Sequence, residues 1–72
     1  MTGNYTDQEI RDIALGFASR LTSEQLLAVS QAILETTRAA AEAGYCSPHW
    51  IDLNAIGIQL GLIALDRKQK AP

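Results

Sequence analysis

The sequence is poor in the residues that staple or metallate small proteins. It has one cysteine, Cys46, and one histidine, His49. A lone cysteine excludes an internal disulfide, and two ligands fall short of a structural zinc site within one chain. Positive charge is equally sparse. Six Lys and Arg against eight Asp and Glu leave a net charge of −2, and only Arg67, Lys68 and Lys70 sit close together. Duplex nucleic acid needs a basic face with many phosphate contacts, so that partner is excluded. No apolar run is long enough to span a bilayer: Leu53 to Leu65 is the most apolar stretch, and Asn54 and Gln59 interrupt it. Met1 to Tyr5 has neither the charged nor the apolar region of a signal peptide. The expectation is a cytoplasmic protein. No glycine-rich phosphate loop is present, because Gly57 and Gly61 fall inside a helical pattern, and no cofactor is called for.

What the chain does have is helical signal throughout. Thr6-Asp7-Gln8-Glu9 is a capping box, with a hydroxyl for an unpaired helix N–H and a glutamate that reaches back. Ile10, Ile13, Ala14 and Phe17 follow at helical spacing and predict a short first helix over about 7–20. Thr22-Ser23-Glu24-Gln25 repeats the box and opens a helix over about 23–43, with Leu26, Leu27, Val29, Ile33, Leu34, Ala40 and Ala41 on one face. Gln31, Glu35, Arg38 and Glu42 form its solvated face. Gly44 supplies the left-handed turn after that helix. Ser47 and Pro48 then provide an N-cap and a first helical residue for a third helix over about 48–68. The short connector makes helices two and three antiparallel neighbours. The fold class is all-α: a single domain over 1–72, with a short N-terminal helix followed by an antiparallel helical hairpin.

The third helix is apolar on two sides. At about 100° per residue, Ile51, Ala55, Ile58, Leu62 and Leu65 form one stripe, and Leu53, Ile56, Leu60 and Ile63 form another roughly opposite. A helix apolar nearly all round is a buried helix. Each large side chain contributes roughly 1.5–3 kcal/mol when buried, so a wet stripe forfeits on the order of 10 kcal/mol. That is comparable to the stability of a whole domain. A homo-oligomer is therefore expected, with Leu53, Ile56, Gly57, Leu60, Gly61 and Ile63 at the interface and the Gly57–Gly61 spacing allowing close backbone approach. The alternative is a monomeric three-helix bundle in which the first helix covers the second stripe.

Catalytic apparatus is not expected. Cys46 and His49 lack the oriented base and oxyanion site of a nucleophilic pair, and they read as a loop thiol beside a histidine at a helix start. Asp7, Glu9 and Asp12 sit where they favour a helix dipole. Phe17 reads as core, Trp50 as core or as the wall of a ligand site, and Tyr5 and Tyr45 as exposed. Arg20, Arg38 and Arg67 are single solvated charges that oligomer symmetry can gather into an anion pocket.

The third helix resembles the C-terminal helix of the phage anti-CBASS cyclic-nucleotide sponge family. The resemblance lies in His49-Trp50-Ile51, Gln59-Leu60-Gly61, Ala64-Leu65-Asp66-Arg67 and Pro72, with Leu21-Thr22-Ser23-Glu24-Gln25-Leu26 similar to the start of the family's long helix. It covers about residues 16–72. It implies a helical hairpin in a compact symmetric oligomer that sequesters cyclic di- or trinucleotides in the host cytoplasm without cleaving them. Trp50, Gln59, Gly61 and Arg67 match the family's tryptophan, glutamine, glycine and late arginine, and Phe17 stands at its tyrosine. His49 replaces an arginine, and Ile33 falls near an expected lysine. Taken with the exposed Tyr5 and the single charge of Arg20, the expected ligand-binding set is Trp50, Arg67, His49, Phe17, Arg20 and Tyr5. The rival expectation is a helical inhibitor or adaptor of a bacterial host protein. A helix-turn-helix regulator fits less well, since neither Thr22–Gln31 nor Pro48–Gln59 opens on basic residues.

Overall fold

The computed structural model describes residues 3–70. They form three helices: α1 over Asp7–Ala18, α2 over Ser23–Glu42 and α3 over Pro48–Lys70. Both capping boxes close. Thr6 accepts from Glu9 N–H while the Glu9 carboxylate accepts from Thr6 N–H, and Thr22 and Gln25 repeat the exchange. Gly44 ends α2 in the left-handed region at φ 93°. There Gly44 N–H donates to Ala41 O at 3.0 Å and Tyr45 N–H to Ala40 O at 2.8 Å. Two carbonyls at the end of α2 are thereby satisfied, and the chain reverses into α3.

Helix α3 is the axis of the molecule. Helix α2 packs against it antiparallel, with Ser30 beside Gly57 and Thr37 beside Asn54. Helix α1 also packs on α3 but barely touches α2. It runs parallel to α3, from Asn4 beside Asp52 to Ala18 beside Arg67. Ala14, Ala18, Leu26, Leu60 and Ala64 make the buried core, with Leu21, Leu27, Val29, Ile33, Ile56 and Ile63 packed around it.

Two sequence expectations change here. Phe17, read as core, is 48% exposed. The buried line of α1 is Ile10, Ala14 and Ala18, spaced four apart, and the small alanines let α1 lie close to α3 while Phe17 falls on the flank. The second change concerns the stripe assigned to a partner subunit. Leu60 is fully buried and Gly57 is buried within the single chain, and Ile56 and Ile63 pack on that core. The Gly57–Gly61 spacing serves the contact between α2 and α3. A Cβ on Gly57 would lie 2.8 Å from Ile33 Cγ2, and one on Gly61 would lie 2.8 Å from Ser30 Oγ. The stripe left wet is the opposite one: Ile58 is 44%, Leu62 55% and Leu65 51% exposed.

Candidate functional site

A concavity lies at the hairpin end, between the last turns of α2 and the first turns of α3. It is a cleft of about 680 Å³. Leu34, Ala41 and Ile51 give it an apolar floor, Tyr45 and Trp50 give it aromatic walls, and Arg38, Thr37 and Asn54 supply polar groups. Each is placed by local structure. The Gly44 turn delivers Tyr45 directly after α2, and the Pro48 start sets Trp50 in the first turn of α3. The Thr37 hydroxyl lies 2.9 Å from Asn54 Oδ1 and 3.1 Å from Leu34 O. One hydroxyl proton is shared between those two oxygens, and the Asn54 amide nitrogen is left facing away from Thr37. Arg38 is exposed and forms no ion pair; among the described residues the salt bridge present joins Lys70 to Asp66 at 3.1 Å.

The residues expected to hold a ligand fall into two groups at opposite ends of α3. Trp50 is half-buried in the cleft wall, and His49 precedes it, exposed. Tyr5 is near the same end, exposed, with its N–H 3.4 Å from Asp52 Oδ1. Phe17 and Arg20 border a separate shallow hollow with Ile13, Gly16 and Ser19. Arg67 lies at that far end, with Nη1 donating to Ala18 O at 2.8 Å and more weakly to Leu21 O at 3.4 Å. The helical rise puts Trp50 and Arg67 about 25 Å apart along α3. One chain does not bring the two groups together.

Three polar residues that tie the elements together carried no sequence signal strong enough to single them out. Asp52 is 5% exposed and accepts from Asn4 N–H at 2.8 Å, which ties the lead-in to α3. A Cβ on Gly3 would run into the same carboxylate. Ser30 is buried and donates to Gly57 O at 2.6 Å, a bond made across two helices. Asn54 looks from the sequence like a blemish in an apolar run, yet it is the partner of Thr37.

Among the described residues, no three His, Cys, Asp or Glu side chains gather where they would hold a metal ion, and no helix is long and apolar enough to cross a membrane. No family model, characterised protein or solved structure matches the chain.

Proposed function

We propose that this chain is a non-catalytic binding protein that assembles with copies of itself along α3 and sequesters cyclic di- or trinucleotides, denying a bacterial defence system its signal. The observation that carries the assembly is the wet stripe of Ile58, Leu62 and Leu65 on a helix whose other sides are already packed. The ligand class is what the sequence resemblance implies. Ile58 stands midway between Ile51 and Leu65 on that face of α3. A twofold axis at Ile58 makes two α3 helices antiparallel. Such an axis would bring the Trp50 end of one α3 level with the C-terminal end of the partner's α3.

Sedimentation equilibrium at micromolar concentration, followed by thermal shifts with a panel of cyclic di- and trinucleotides, tests both halves. The expected result is an oligomeric mass and a melting point raised by several degrees by at least one ligand. A ligand at a hundred times its Kd stabilises by about 2.7 kcal/mol. A stable species of one-chain mass would reject the assembly. An oligomer that no cyclic nucleotide stabilises would reject sequestration and favour the second reading, an adaptor or inhibitor that docks on a host protein. The i, i+4, i+7 ridge of Ile58, Leu62 and Leu65 suits that reading, since it has the spacing of a helix that lies in an apolar groove.

A further inference from the structure

We infer that the cleft between the end of α2 and the start of α3 binds a planar aromatic ring carrying an anionic group. The inference rests on the proposed function only in taking the chain to bind a small ligand; it needs no second copy. The cleft, at about 680 Å³, is in the size range of small-molecule sites and has their usual make-up of apolar lining with a few convergent polar groups. Tyr45 and Trp50 offer the aromatic surfaces, and an aromatic side chain stacks on any flat π-system whatever its edge pattern.

Arg38 is the cation among the lining residues, and it supplies the preference for negative charge. Glu35 and Glu42 lie three residues before it and four after it on the same helix, yet neither closes an ion pair with it. Its guanidinium fork is free for a carboxylate or phosphate, which it can hold with two parallel hydrogen bonds. The Asn54 amide adds N–H donors on the α3 side, since its oxygen is on Thr37. Two aromatic rings together with cationic and amide donors in one cleft select a ligand that has both a flat ring and an anionic group. The hollow beside Phe17 and Arg20 pairs an aromatic with a cation too, but it is less than half the size, at about 280 Å³, and has no second ring.

Two sources share this chemistry, nucleotides and aromatic carboxylates, and four probes separate them: AMP, indole-3-acetate, adenosine and inorganic phosphate. The chain has one tryptophan, so its indole N–H is a single assignable signal in a nitrogen–proton correlation spectrum. AMP or indole-3-acetate, or both, is expected to shift the Trp50 indole and the Asn54 side-chain amide with low-millimolar or tighter affinity. Adenosine and phosphate, each carrying half of the recognition, should bind about tenfold more weakly or worse. Arg38→Gln, at an exposed position that leaves the fold intact, should weaken the anionic probes about tenfold and leave adenosine unchanged. Whichever anionic probe binds names the source. The inference is overturned if neither moves the Trp50 indole at about 5 mM, a concentration that populates even millimolar complexes. It is equally overturned if Arg38→Gln binds them as well as the parent does. Cyclic di-AMP bound equally by both proteins would keep sequestration and remove the cleft as its seat. Binding of AMP or indole-3-acetate with no cyclic nucleotide bound would keep the cleft and remove sequestration.

Discussion

Arg67 completes a helix to which it does not belong. The last turn of α1 carries no basic residue, so the carbonyls that form the negative end of its dipole have no cation within that turn. The Arg67 guanidinium arrives from α3, 49 positions away from Ala18, and donates to Ala18 O at 2.8 Å. Arg67→Ala should therefore cost about 1.5–2 kcal/mol, at the low end of the range for hydrogen bonds made by charged groups. The loss should appear in chemical denaturation, and amide exchange should rise at Ser19 and Arg20, where α1 closes. An unchanged midpoint and unchanged exchange would make the contact incidental. The position of this residue on helix three is legible in the sequence; its partner is not, because an i to i+49 contact leaves no periodic trace. Asp52 shows the same limit. Its neighbours Ile51 and Leu53 announce a buried helix, but nothing local says that a carboxylate there meets the N–H groups of a lead-in segment 47 and 48 positions earlier.

At the scale of elements, three helices and their order follow from two capping boxes, one Gly44 turn and one Pro48 start, all of them local signals. Ends shift by a residue or two: α1 stops at Ala18, where the Ser19 hydroxyl bonds back to Gly16 O at 2.8 Å, and α3 runs on to Lys70. The two stripes of α3 are also legible, since they depend only on the helical repeat. Which stripe stays inside is not, because that depends on where α2 lies closest, and the small residues decide it. Gly57 and Gly16 separate the two roles of a helical glycine. Replacing glycine with alanine inside a helix gains about 1 kcal/mol of propensity. At Gly16 nothing lies within 4 Å of the new Cβ, so Gly16→Ala should stabilise by up to that amount. At Gly57 the Cβ would sit 2.8 Å from Ile33 Cγ2, 3.2 Å from Ile33 Cβ and 3.3 Å from Leu34 Cδ2. Ile33 Cβ is fixed to its backbone, so α2 itself must retreat, and Gly57→Ala should destabilise by about 1–3 kcal/mol despite the gain. Urea denaturation of the two variants gives opposite signs if α2 and α3 meet at this glycine, and equal gains if they do not.

For the whole molecule, the exposed surface is large for the chain's mass. A folded monomer of 7.8 kDa is expected to expose about 4,400 Å². This one exposes 5046 Å², in a body measuring 43 × 23 × 17 Å. The excess is on the order of 600 Å². Part of it follows from the elongated shape, since α1 covers one flank of α3 and leaves the stripe of Ile58, Leu62 and Leu65 bare. If copies meet there, folding and association are linked, and the melting point must rise with protein concentration. Leu62→Glu decides the matter. Leu62 is 55% exposed in the single chain, so within a monomer the substitution is a surface change worth about 0.5 kcal/mol or less. Within an antiparallel pair it places a carboxylate in an apolar seam, where desolvation opposes association. The variant should sediment as one chain, with a lower melting point that no longer depends on concentration. A parent protein whose melting point is flat from about 5 to 500 μM, matched by an unaffected Leu62→Glu, would mean that the stripe stays in water and that the chain bears its cost alone.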